Sequence, residues 1–198
     1  MNKDKCCRCN DKSCSCGCDG NHSGLKKILT FGVLAGIGWI IYKKKSNHEA
    51  LPTAQDVDLR KYMGVWFEIA RLPQRFEKGA THVTAEYTLT DDGAVIVENR
   101  SIQAVTGEEN YIKGKAWADD PEDSAKLKVQ FQWPIKSPYW ILDIAKDYSY
   151  ALVGTPDRKS LWILSRKSSL KDKLYIELYQ KAQSLGFAVE KLHRTIQE

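Results

Sequence analysis

Between Tyr62 and Arg166 the chain is built from short runs in which apolar and polar residues alternate at period two, separated by turn residues. That spacing is the signature of half-buried strands. The first run, Tyr62 to Pro73, holds a glycine at Gly64 where the backbone can turn tightly. Period two then places Trp66, Glu68 and Ala70 on one face and Phe67, Ile69 and Arg71 on the other. Val83, Ala85, Tyr87 and Leu89 alternate with His82, Thr84, Glu86 and Thr88, and Asp91-Asp92-Gly93 supplies a hairpin turn. Val95, Val97, Asn99 and Ser101 share the next face, before a turn at Thr106-Gly107. Tyr111 to Ala118 forms a fourth run, broken by Asp119-Asp120-Pro121. Leu127, Val129, Phe131 and Trp133 alternate with Lys126, Lys128, Gln130 and Gln132, and Pro134 ends that strand. Tyr139 to Ala145, Tyr148 to Thr155 and Ser160 to Arg166 complete the set of eight.

Eight strands with short connections predict an all-β, antiparallel up-and-down barrel, since closure removes the unpaired edges of an open sheet. An eight-stranded interior is just wide enough for one small ligand. The inward positions read as apolar and aromatic with few charges. Alternation alone nominates Val83, Ala85, Tyr87, Val97, Asn99, Phe131 and Tyr139 as ligand-binding residues. Packed barrel core is the competing role for each. After the last strand the period changes to that of a helix. Leu170, Leu174, Leu178, Ala182 and Leu185 form a stripe suited to packing on the barrel wall, with Ser169 and Asp172 as a capping pair and Gly186 at the C-terminal end.

The first fifty residues have a different character. All six cysteines, Cys6, Cys7, Cys9, Cys14, Cys16 and Cys18, lie in residues 1–24. Such a polar segment cannot build an apolar core. Its thiolates are spaced within reach of a soft ion such as zinc or copper(I), but not as the Cys-x-x-Cys pair of a zinc finger. A tail with redox-labile thiols is the equal alternative, and disulfides a third that needs an oxidising compartment. Residues 25–45 contain fifteen uncharged, mostly apolar residues, Ile28 to Tyr42, between Lys26-Lys27 and Lys43-Lys44-Lys45. That length is at the short edge for a membrane span, and the flanking lysines extend its reach. The run ends in lysines with no small-x-small site, which favours an uncleaved transmembrane anchor over a signal peptide. Gly32 and Gly36 give a Gly-x-x-x-Gly pattern through which two anchors can pair as a homodimer. Residues 46–56 read as a linker, and 57–198 as the barrel domain with its helix.

Charge divides at the same place. Residues 1–50 hold nine Lys/Arg against four Asp/Glu, and the remainder holds 21 of each. A formally neutral main domain argues against nucleic acid as its partner.

Gly64-Val65-Trp66 opening a domain of this size resembles the first signature of the lipocalins, most closely their bacterial and apolipoprotein-D-like branch. Asp147-Tyr148 looks like the second signature, a turn between the sixth and seventh strands. Leu161 to Arg166 looks like the third, whose arginine stacks on the first-signature tryptophan at the closed end of the barrel. Gly64, Trp66, Asp147, Tyr148 and Arg166 are structural in that family. Gly114 to Trp117 and Phe131 to Pro134 also resemble the bacterial branch. The resemblance implies binding of a fatty acid, lysophospholipid or similar amphiphile in membrane upkeep, without a required cofactor. It differs at Ser101, where several relatives carry cysteine. It also lacks a cysteine just after the apolar run, where bacterial members begin as lipoproteins.

A membrane-anchored lipid carrier is therefore the leading expectation, with the barrel on the non-cytoplasmic side (periplasmic or outer-membrane-associated in a bacterium). Reduced thiols favour a cytosolic N-terminus. A lipocalin-fold enzyme is a weaker reading. The domain has no cysteine, only His82 and His193 as imidazoles, and no Gly-x-Ser-x-Gly. A third reading makes the cysteine tail a membrane-tethered metal-binding or redox module.

Overall fold

The computed structural model describes residues 50–74, 77–120 and 122–198. The cysteine tail, the apolar run and its Gly-x-x-x-Gly pattern lie outside the described residues. Among the described residues no helix is long and apolar enough to cross a membrane.

A single turn of helix, α1 (Leu59–Tyr62), leads into β1 (Gly64–Arg71). Six long or medium strands follow: β2 (Ala80–Leu89), β3 (Val95–Gln103), β4 (Glu109–Asp120), β5 (Asp123–Gln132), β6 (Ile135–Ile144) and β7 (Tyr150–Gly154). Then come β8 (Leu161–Ser165), α2 (Asp172–Ser184), a 3-10 turn (Val189–Lys191) and β9 (His193–Arg194). Each of β2 to β7 pairs antiparallel with the next, and β1 pairs with both β8 and β2, which closes an eight-stranded barrel. The predicted architecture is the observed one.

Closure is uneven. β1 and β2 pair only from Gly64↔Tyr87 to Phe67↔Thr84. Beyond Phe67 the C-terminal segment fills the seam. β9 pairs with Ala70 and Arg71, the His82 N–H donates to Ile196 O at 2.7 Å, and Gln197 Nε2 donates to Glu68 O and Val83 O at 2.7 and 2.9 Å. His193 is thus a strand residue opposite Arg71. His82, expected at an ordinary outward strand position, has a φ of +52° inside an irregularity between Thr81 and Thr84.

Two apolar layers hold the molecule together. One fills the barrel around Trp66, Tyr62, Tyr87, Val95, Val97, Ile141 and Leu164. The other lies outside, where Leu178 and Ala182 of α2 cover Leu152, Leu161 and Ile163. Leu170, Leu174 and Leu185 pack against that layer, so the predicted stripe is the docking face. The proposed Ser169 cap is absent: Lys171 is the N-cap, without a side-chain hydrogen bond. Asp172 instead begins the helix, where a carboxylate suits the dipole, and it accepts from Arg194 at 3.1 Å. Gly186 ends it with a φ of +83°.

One end of the barrel is sealed. Asp58 caps α1 by accepting from the Arg60 N–H at 2.9 Å, and its own N–H donates to the Tyr148 hydroxyl at 2.7 Å. Arg166 donates to the carbonyls of Val65, Lys61, Tyr62 and Met63 while its guanidinium stacks 3.8 Å from the Trp66 ring centroid. The Asp147 carboxylate holds the β6–β7 turn by accepting from the Ser149 N–H and hydroxyl. The opposite end is open, ringed by the β1–β2, β3–β4, β5–β6 and β7–β8 connections.

Candidate functional site

A cavity of about 480 Å³ occupies the barrel interior and reaches the open end. That volume lies within the roughly 300–1,000 Å³ typical of small-molecule pockets. Val83, Ala85, Tyr87, Val97, Asn99, Phe131 and Tyr139 all line it. Gly64, Trp66, Asp147, Tyr148 and Arg166 do not, and form the sealed end instead. Trp133, which period two placed on the inward face beside Phe131, lies past the end of β5 and is 83 % exposed on the β5–β6 turn. Ile135 beside it is also exposed, and begins β6 four residues before the alternation signalled. Pro138, just before the expected start of that strand at Tyr139, sits within β6 opposite Lys128.

The base of the cavity is aromatic. Tyr139 hydroxyl lies 2.7 Å from that of Tyr62 and 2.8 Å from that of Tyr87, and Trp162 stacks on the Tyr139 ring. Burial raises the pKa of all three phenols, Tyr87 to about 12, so they stay neutral at physiological pH. The middle wall is apolar, from Ala116, Leu127, Val129, Phe131 and Leu164. Gly114 lets Phe131 lie flat on β4: a Cβ there would meet the Phe131 ring at 2.6 Å and Gln130 O at 2.7 Å.

Nearer the mouth the wall is polar, and here the sequence reading fails. Glu68 and Arg71 belong on opposite faces at period two. A bulge between Glu68 and Ala70, opposite β8, inserts one residue and turns both side chains to the same side. Arg71 donates to Glu68 and to Thr195 Oγ1, and its Nε lies 3.4 Å from Glu77 Oε2. Thr195 in turn donates to Glu68. Burial raises the Glu68 pKa, against the pull of Arg71 and Thr195. Burial and then the Glu68 charge push Glu77 up to about 7, against Arg71 and Trp162. Two buried carboxylates thus share one guanidinium and hold a proton near neutrality. Gln74 donates to Ser160 Oγ at 2.9 Å, tying the β1–β2 and β7–β8 connections across the mouth, where Asp157 also lines the cavity.

Glu68, Gln74, Glu77, Trp162 and Leu164 were not nominated from the sequence. Trp162 and Leu164 were within reach, since they alternate with Leu161 and Ile163. Glu77 lies outside any strand and carries no periodic signal. Neither His82 nor His193 lines the cavity, and among the described residues no cluster of three or more His, Cys, Asp or Glu is placed to hold a metal ion.

A family model described as a lipocalin-like domain matches residues 57–197. Temperature-induced lipocalin-1 of Arabidopsis thaliana is 38 % identical over 161 residues, covering 77 % of this chain and 86 % of that one. Outer membrane lipoprotein Blc of Escherichia coli K12 is 40 % identical over 134 residues, covering 68 % and 76 %. Apolipoprotein D of Bos taurus is 36 % identical over 184 residues, covering 86 % and 94 %. Among solved structures, insecticyanin from the tobacco hornworm Manduca sexta superimposes with a TM-score of 0.59 at 25 % identity, covering 74 % of this chain and 84 % of that one.

Proposed function

The chain belongs to the lipocalin family, and from that premise we propose that it is a membrane-anchored carrier of a single-chain amphiphile. The observation that carries this reading is the form of the cavity. It is one mostly apolar space with an aromatic base, an apolar wall and a polar mouth at the open end. Each buried methylene of an acyl chain contributes roughly 0.8 kcal/mol, so the wall supplies affinity and the mouth chooses the head group.

The mouth favours a zwitterionic or neutral head over a bare carboxylate. Arg71 is already engaged by Glu68, Thr195, Glu77 O and the Glu77 carboxylate. Asp157 offers negative charge where the head would lie. A lysophospholipid with a quaternary ammonium therefore suits this wall better than a free fatty acid. Mass spectrometry of organic extracts from the purified full-length chain tests it. Lysophospholipid as the main cargo supports the carrier reading, and extracts free of any single-chain amphiphile oppose it.

The membrane part of the proposal rests on the apolar run Ile28 to Tyr42 between lysines, on the similarity to outer membrane lipoprotein Blc, and on the exposed Trp133 and Ile135 beside the mouth. The barrel then lies outside and the cysteines inside, where thiols remain reduced. Labelling with a membrane-impermeant thiol reagent and protease access on intact cells check this arrangement. Labelled cysteines with a protected barrel reverse it.

A further inference from the structure

The phenols at the base of the cavity have one proton more than they can use among themselves. Three hydroxyls carry three protons, and the Tyr62–Tyr139–Tyr87 chain contains two hydrogen bonds. Whatever the direction of donation, one O–H remains without an acceptor in the chain. Tyr62 is fully buried beneath the other two, whereas Tyr87 and Tyr139 face the cavity. A spare proton on either of them is offered to the cavity contents.

An acceptor waits close by. Asn99 lines the same cavity, and its Oδ1 is buried with no hydrogen-bond partner among the described residues. Asn99 pairs with Ala85 and Tyr87 with Val97, so Asn99 and Tyr87 hold diagonal positions on the inward face of β2 and β3, positions whose backbones lie about 7–8 Å apart in such a pair. A group lying between them meets a phenolic donor on one side and an amide acceptor on the other. A hydroxyl satisfies both. A ketone or ether satisfies only the donor, and a methylene satisfies neither and leaves two polar groups buried without partners.

We propose that the Tyr87–Tyr139–Asn99 corner is a subsite for a hydroxyl carried on the buried part of the ligand chain. The preferred cargo is then a hydroxylated acyl lipid rather than a plain one. Tyr87 lies seven residues along β2 from its open-end start at Ala80, about 23 Å of strand at roughly 3.3 Å per residue. The hydroxyl is therefore placed toward the far end of the chain and away from the head group. This inference rests on the carrier reading above, and it can fail while that reading stands.

The test compares palmitoyl lysophosphatidylcholine with its ω-hydroxylated analogue by titration into the full-length chain. The readout is the ratio of the two affinities. Tyr87→Phe combined with Tyr139→Phe keeps both rings and removes both cavity-facing hydroxyls. It is expected to lower the preference for the hydroxylated lipid about tenfold while retaining the plain one. Asn99→Leu, which leaves all three phenols in place, is expected to lower the same ratio and provides the readout if the double variant does not fold. A ratio equal to the unmodified protein's in Asn99→Leu and in a folded double variant overturns the subsite and leaves the carrier intact. Absence of saturable binding for both lipids overturns the carrier reading and the subsite with it.

Discussion

The guanidinium of Arg166 lies 3.8 Å from the centroid of the Trp66 ring, and the two residues stand one hundred positions apart in the chain. Trp66 is fully buried and donates its indole N–H to Tyr62 O at 2.8 Å. Arg166 fixes that corner's geometry by donating to the carbonyls of Lys61, Tyr62, Met63 and Val65. This contact seals the closed end of the barrel.

Replacing Trp66 with alanine removes a large buried side chain and is expected to cost about 3–5 kcal/mol of stability. Arg166→Ala loses a cation–π contact worth roughly 0.5–2 kcal/mol and leaves partly exposed carbonyls to water. A double-mutant cycle in denaturant unfolding is expected to give coupling of about 0.5 kcal/mol or more. Strictly additive losses would show that the stack contributes nothing.

Gly114 controls the width of the cavity. A methyl at this position collides with the Phe131 ring and with the Gln130 carbonyl, and the carbonyl cannot move aside cheaply. Gly114→Ala is expected to cost about 1–3 kcal/mol as an overpacking change and to push Phe131 into the ligand space. Weaker lipid binding alongside a lowered melting temperature is the expected pair of results. An unchanged affinity would mean that Phe131 does not bound the ligand.

Glu77 makes stability depend on pH in the opposite direction from a surface carboxylate. Its folded pKa of about 7 lies above the ordinary glutamate value of 4.5. Between those values the folded protein holds a proton that the unfolded chain has released. Stability is therefore greatest near pH 4.5 on this account and falls as pH rises through 7, by about 1–3 kcal/mol. Glu68 adds in the same sense, since burial raises it also. Glu77→Gln is expected to remove much of the slope in unfolding measured from pH 5 to pH 8. A slope unchanged by that substitution would place the proton elsewhere, with Glu68 the first alternative.

How much of this was legible in the sequence depends on whether a residue keeps the period of its strand. Ala85, Tyr87, Val97, Asn99 and Phe131 alternate without interruption, and each faces the cavity where alternation placed it, as does Val83 at the edge of the β2 irregularity. Arg166 over Trp66 followed from the family resemblance, since nothing local links two positions so far apart. Arg71 was misplaced because a one-residue bulge after Glu68 reverses the facing of everything beyond it, and a bulge leaves no mark in hydrophobicity. The C-terminal closure was missed for a different reason. β9 has two residues and is defined by its partner, Ala70 and Arg71, rather than by any pattern of its own.

The most direct test titrates palmitoyl lysophosphatidylcholine into the full-length chain and follows the complex by native mass spectrometry. One lipid per chain is expected at saturation, as an eight-stranded interior admits one small ligand. Phe131→Asp, which places a charge on the apolar wall, is expected to weaken binding at least tenfold while the β-sheet circular dichroism is retained. Binding that never saturates, or that proceeds equally well in folded Phe131→Asp protein, would contradict the assignment of the barrel cavity as the lipid site.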